Sequence, residues 1–151
     1  MDGTYNVRPV NDRLTTAGLP TEEQLRLAAE LGFEVVINLA VDNNPPYSLA
    51  GEGELVLSLG MAYVHIPVKF SEPTERDFVQ FCDAMDANAD RKKFVHCAAN
   101  KRASVFVGLY RVLRLGWERE AAFDLVRSLW EPDAVWTRFI VQMLAESRRT
   151  E

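Results

Sequence analysis

Cysteine and histidine are scarce in this 151-residue chain, two of each, and no stretch is both long and apolar. Two thiols, Cys82 and Cys97, are too few for the disulfide framework of a small secreted scaffold. No histidine and cysteine spacing matches a zinc motif, so neither a metal nor any other cofactor is expected. The longest apolar-rich stretch, Phe33 to Val41, contains Glu34 and Asn38 and falls far short of the ~20 residues that cross a bilayer. The opening MDGTYNVRPV lacks the basic-then-apolar pattern of a secretory leader, which points to a cytoplasmic protein. Positive charge is not in excess either: the net charge is −5 and the sequence pI is about 5.1. The basic residues form only small groups, Arg91–Lys93, Lys101–Arg102 and Arg148–Arg149. Nucleic acid and anionic membranes need a clustered basic face, so neither is expected as a partner.

What the chain does have is 48% apolar residues in a length that suits one domain spanning 1–151. The pattern alternates strands with helices. Thr21 and Gln24 form a capping box ahead of Leu25, Leu27, Ala28, Ala29 and Leu31, and Gly32 supplies the stop. Phe33 to Leu39 is short and β-branched, as a buried strand is, and Ala62 to Val68 and Lys93 to Cys97 read the same way. Thr74 and Asp77 cap a helix to about Ala87 with Phe78, Phe81, Cys82 and Met85 on one face. An apolar helix over Ala103 to Leu115 should lie centrally, followed by helices over Glu118 to Trp130 and Asp133 to Glu146. The first ~18 residues are polar and turn-rich, fitting an edge strand with loops. The expected class is α/β: a small, mostly parallel central sheet flanked by helices, with the late helices covering one face.

The sharpest local feature is the run Val95-His96-Cys97-Ala98-Ala99-Asn100-Lys101-Arg102-Ala103-Ser104. A strand delivers Cys97 to a loop of small residues, and a long helix starts directly after it. Backbone N–H groups at such a helix start form an anion cradle, and the same field favours a thiolate. Ala98 and Ala99 let a bulky anion reach the backbone, and Asn100 tolerates the left-handed conformation that tight loops use. Cys82, on the apolar helix face, reads as packing, and so does His65 within its strand.

This run resembles the signature of the cysteine-dependent protein tyrosine phosphatases, in particular their small bacterial dual-specificity-like branch. That signature is His-Cys, five residues, Arg, then Ser or Thr, between the last parallel strand and a central helix. His96, Cys97 and Ser104 match, and element order over roughly residues 12–147 fits. Ala17-Gly18-Leu19-Pro20-Thr21 and Trp130-Glu131-Pro132 are also similar to segments of bacterial relatives. One position departs: Arg102 stands five places after Cys97, and the sixth place holds Ala103. One residue turns a helical side chain by about 100°. Either the loop is rebuilt around Arg102, or the arginine points elsewhere and Lys101 supplies charge.

The resemblance implies phosphomonoester hydrolysis through a phosphocysteine on Cys97, with a phosphorylated protein or a small phosphomonoester as substrate. It implies Ala98, Ala99, Asn100, Lys101, Arg102 and Ala103 around the phosphate, Ser104 assisting the sulfur, His96 orienting the loop, and Glu131 near the hydrolytic water. The family's acid is an Asp on a loop after an earlier strand. The matching loop, Lys69 to Pro73, offers only Glu72, while Asp77 is committed to its helix cap. Two other readings share the Cys-loop: a catalytically silent phosphate-binding module, and a sulfurtransferase-like domain. Pocket depth should depend on the loops at Pro45–Tyr47 and Phe70–Pro73, and oligomeric state leaves no mark in the sequence.

Overall fold

The computed structural model describes residues 3–149. Five strands make one sheet in the order β1-β2-β5-β3-β4: β1 Arg8–Asn11, β2 Leu14–Ala17, β3 Val35–Asn38, β4 Ala62–His65 and β5 Lys93–His96. Only β1 is antiparallel to its neighbour; β2, β5, β3 and β4 run parallel, with Val95 beside Thr16 and Ile37. The expected mostly parallel α/β class is observed. The initial segment differs from expectation, since of its two strands β2 lies inside the sheet and β1 alone lies at an edge. Its Leu14-Thr15-Thr16-Ala17 has little apolar content, yet all four residues are buried because the β-branched threonines pair with β5.

Helices α1 Glu22–Glu30 and α2 Glu52–Ser58 cover one face of the sheet. Leu25, Ala28 and Val56 pack there on Val36 and Phe94. The other face carries α3 Glu75–Ala87, α4 Lys101–Leu113, α5 Arg119–Ala122, α6 Asp124–Arg127 and α7 Ala134–Arg149. Val35, Ile37 and Val95 meet Phe81, Phe106 and Trp136 on that side. Strand residues thus alternate between two cores, the signature of a sheet buried on both faces.

Both capping boxes form. Thr21 Oγ1 accepts from Gln24 N and Thr74 Oγ1 from Asp77 N, at 3.2 and 3.1 Å. The single helix expected over Glu118 to Trp130 is instead two short ones. Phe123 leaves helical backbone (φ −99°, ψ 12°). Its ring lies where a Cβ on Gly108 would sit, 2.9 Å from that position, so Gly108 of α4 gives this ring its seat.

Candidate active site

The carboxyl ends of β3, β4 and β5 open onto one cleft, the usual ligand position in parallel α/β sheets. It measures about 620 Å³, and Tyr47, Lys69, Phe70, Lys101 and Arg102 are among its walls, with Cys97 in its lining. Both loops expected to set its depth contribute, through Tyr47 on one side and Phe70 and Ser71 on the other. Cys97 is 0% exposed, so it is reached only through the cleft. Cys82, by contrast, sits in the α3–α4 core, where burial pushes its thiol up to about 12.

The short Cys-to-Arg spacing is accommodated by an early helix start. Asn100 adopts φ 64°, ψ 15°, and α4 begins at Lys101 rather than at Ala103. Its first helical bond runs from Ser104 N to Asn100 O at 3.2 Å. The N–H groups of Lys101, Arg102 and Ala103 precede that bond and lack helical partners. In this register position 102 reaches the cleft and position 103 the core, where Ala103 is fully buried. An arginine at the family's sixth place would therefore be driven into the hydrophobic interior of this helix.

Arg102 is 6% exposed. One guanidinium nitrogen, Nη1, donates to Val68 O at 2.8 Å, which fixes the plane. Nε is buried and has no hydrogen-bond partner among the described residues. An orphaned donor on a buried cation costs roughly 1–3 kcal/mol unless a ligand fills it. Lys101 Nζ lies 5.3 Å from the centre of the Trp130 ring and 5.8 Å from that of Phe70, held at the rim by cation–π contacts.

The loop is clasped from behind by the N-terminal segment. Asn100 Nδ2 donates to Asn6 O and Thr16 Oγ1, both at 2.9 Å, and Asn6 Nδ2 returns a bond to Ala99 O at 3.1 Å. Leu19 N donates to Ala98 O at 2.9 Å, so Gly18 passes close to the loop. A Cβ on Gly18 would lie 2.7 Å from Ala98 O, which is backbone and cannot swing away. Glycine is the one residue type that permits this approach, which accounts for Gly18 in the Ala-Gly-Leu-Pro-Thr segment.

The remaining candidates scatter. His96 is fully buried beneath the loop and makes two contacts rather than one: Nδ1 to Cys97 O at 3.1 Å and Nε2 to Glu52 Oε2 at 2.6 Å. Ser104 Oγ donates to Lys101 O at 2.9 Å. Glu72 and Glu131 are exposed, and neither lines the cleft; among the described residues no carboxylate does. His65 contacts Ala40 O at 2.7 Å. Glu52 escaped sequence reasoning because an acid between Gly51 and Gly53 at a short helix start reads as solvated.

The chain also matches a family model over residues 5–130, described as the DSP-PTPase phosphatase fused to NAD+ kinase. It belongs to that phosphatase family. A candidate phosphatase of the DUF442 group from Shewanella putrefaciens CN-32 is 32% identical, with 96% of this chain and 95% of that one covered at a TM-score of 0.85. A structure of PTPMT1 in complex with PI(5)P shares the fold at TM-score 0.76 and 14% identity, covering 95% of this chain and 97% of that chain. A beta-lactamase hydrolase-like protein of Xylella fastidiosa (strain Temecula1) is 29% identical over 106 residues, which is 69% of this chain. The match spans only 24% of that relative's length. Within this fold the Cys97 cleft is lined by a buried cation, Arg102, whose Nε has no hydrogen-bond partner among the described residues. A second cavity of about 420 Å³ at the amino ends of β2 and β5 shows no such readiness. Its Lys93 donates to three backbone carbonyls and its Arg111 pairs with Asp124, so its buried cations are already satisfied.

No helix among the described residues is long and apolar enough to cross a membrane.

Proposed function

We propose that the chain hydrolyses phosphomonoesters through a phosphocysteine on Cys97. The observation that carries this reading is Arg102, a lining residue of the cleft that holds Cys97, with its guanidinium tied to Val68 and its Nε buried without a partner among the described residues. A tetrahedral dianion supplies what that donor lacks, and an arginine edge of two parallel N–H groups matches two phosphoryl oxygens.

In the first step the Cys97 sulfur attacks phosphorus, a P–S bond forms, and the ester P–O bond breaks with its electrons leaving on oxygen. Arg102 and the backbone N–H groups of Ala98 to Ala103 hold the equatorial oxygens, and this preorganisation carries most of the acceleration. Water then attacks phosphorus, inorganic phosphate leaves, and the sulfur recovers its electron pair. Ser104 assists that departure by exchanging the Lys101 carbonyl for the sulfur, and Glu131, at the Trp130–Pro132 corner, orients the water. Glu72 follows Ser71 on the rim loop and protonates leaving groups too basic to depart unaided. Glu72→Gln is therefore expected to slow an alkyl phosphate at least ~10-fold while sparing an aryl phosphate with a good leaving group. An equal loss on both substrates, or no loss, would move the role to Asp77 or Glu131.

Arg102→Ala tests the carrying observation. Titration with inorganic phosphate should show binding weaker by about 1.5–3 kcal/mol, the scale of a hydrogen bond to a charged group, and Lys101→Ala should cost less. Unchanged phosphate affinity in Arg102→Ala would make the arginine a purely structural tie to Val68.

That no carboxylate lines the cleft among the described residues favours a second reading, sulfur transfer. Attack of the Cys97 thiolate on the outer sulfur of thiosulfate releases sulfite, an anion that needs no proton to leave. A persulfide on Cys97 after thiosulfate treatment, with aryl phosphate left intact, would select it. Phosphate binding with neither product would select the silent binding module.

A further inference from the structure

The bond between His96 and Glu52 joins residues 44 apart in the chain, and both side chains are buried, at 0% and 3% exposure. A carboxylate so deep in a core needs a partner, because leaving it alone is strongly unfavourable. Oε2 has His96; Oε1 is buried without a hydrogen-bond partner among the described residues. The α2 start is pressed against β4: a Cβ on Gly53 would stand 2.9 Å from the Tyr63 ring. Tyr63 itself accepts from Asn38 Nδ2 at 3.0 Å, and burial, with the Glu52 charge adding to it, pushes its hydroxyl up to about 12. The glutamate thus stands on a packed platform of α2, β3 and β4, away from the cleft lining.

On its other side His96 meets the Cys97 carbonyl, which carries no proton, so Nδ1 must be the donor. Nε2 and Oε2 then hold one proton between them at 2.6 Å. A neutral histidine facing nothing at Nε2 could equally carry its hydrogen there, and would then repel the Cys97 carbonyl with an Nδ1 lone pair. Glu52 removes that choice because the proton it shares with Nε2 is additional to the one on Nδ1, which stays with the Cys97 carbonyl. The consequence reaches the cleft through the peptide plane: in a trans peptide the carbonyl of Cys97 and the N–H of Ala98 point in opposite directions. Anchoring the carbonyl toward His96 aims the Ala98 N–H away from it, and Ala98 is part of the cleft lining.

We propose that Glu52 is a positioning residue of the anion site, fixing the Nδ1–H form of His96 and through it the Cys97–Ala98 peptide that presents Ala98 N–H to the anion. The inference rests on the anion-binding reading of the cleft, but its first link, from Glu52 to the His96 ring, is measured without any ligand.

The experiment compares wild type, Glu52→Gln and Glu52→Leu by long-range nitrogen–proton correlation of the His96 ring, with inorganic phosphate titration and thermal unfolding alongside. Wild type should show Nδ1 protonated. Glutamine can donate its amide hydrogen to Nε2, so Glu52→Gln should keep the Nδ1–H signature and hold phosphate within about threefold of wild type. Leucine offers no partner: its ring signal should move to the other form or a mixture, and phosphate binding should weaken about tenfold or more, the scale of one hydrogen bond to an anion. An unprotonated Nδ1 in wild type overturns the proposal, as does a leucine variant that keeps both signature and affinity. Should the leucine variant not fold, Glu52→Gln decides: retention of signature and affinity supports the proposal, and loss of either overturns it. If wild type binds no phosphate, the anion-site reading fails, while the ring signals still report whether Glu52 sets His96.

Discussion

Cys97→Ser is expected to lower aryl phosphate hydrolysis by about a thousandfold or more while leaving phosphate binding nearly intact. The two halves of this result have separate causes. In the proposed mechanism binding falls to Arg102 and to the N–H groups at the start of α4, none of which the substitution touches. Turnover belongs to the sulfur, and a serine in its place has no base to activate it. The one histidine beside it, His96, has both ring nitrogens engaged, by Cys97 O and by Glu52. A serine hydroxyl without a base is a weak nucleophile. The measurement is a steady-state rate with an aryl phosphate beside a phosphate titration of both proteins. Retained turnover in the serine variant would contradict the assignment of Cys97. A wild type no faster than the variant, with both binding phosphate, would select the silent module.

The second large effect is on stability. Trp136→Ala should destabilise the fold by about 3–5 kcal/mol, the range for emptying a core of a large aromatic. Trp136 is 0% exposed and lies within about 6 Å, centroid to centroid, of Phe70, Phe106 and Phe139. Its indole N–H donates to Phe70 O at 2.8 Å. Removing it opens a cavity between α7 and α4 and also deprives the cleft's rim loop of its main-chain anchor. Denaturant unfolding should show the midpoint falling with its slope unchanged. Trp136→Phe keeps most of the ring and loses the N–H, so it should cost less stability yet raise KM for substrates that touch Phe70. A loss below about 1 kcal/mol for the alanine variant would mean that the site relaxes freely, against the packing described.

Local chemistry made much of this fold legible. Thr21 with Gln24 and Thr74 with Asp77 are caps that need no tertiary partner, and both appear where their spacing places them. The Phe78, Phe81, Cys82 and Met85 face of α3 is buried as its period requires. What escaped depends on contacts between distant segments. β2 carries two threonines and only Leu14 among large apolar residues, and its burial comes from pairing with β5. The break at Phe123 follows from a seat on Gly108, fifteen positions earlier, which no window of sequence contains.

The site divides in the same way. The run from His96 to Ser104 indicated a strand, a tight loop and a helix start by composition and order alone, and β5, the loop and α4 stand there. Its register did not follow, because the start of α4 is set by the left-handed Asn100, and Asn100 is held by Asn6 and Thr16 from the far end of the chain. That clasp turns a spacing one residue short of the family signature into one that brings Arg102 to the cleft. Glu52 had no local mark at all; only the packing of α2 on β4 brings it to His96.

The most direct test of the account is to quench wild type in acid during turnover of an aryl phosphate and weigh the peptide that contains Cys97. The account predicts a phosphoryl group on that peptide, absent from Cys97→Ser and absent from the Cys82 peptide. An unmodified Cys97 peptide while substrate is being consumed would contradict it.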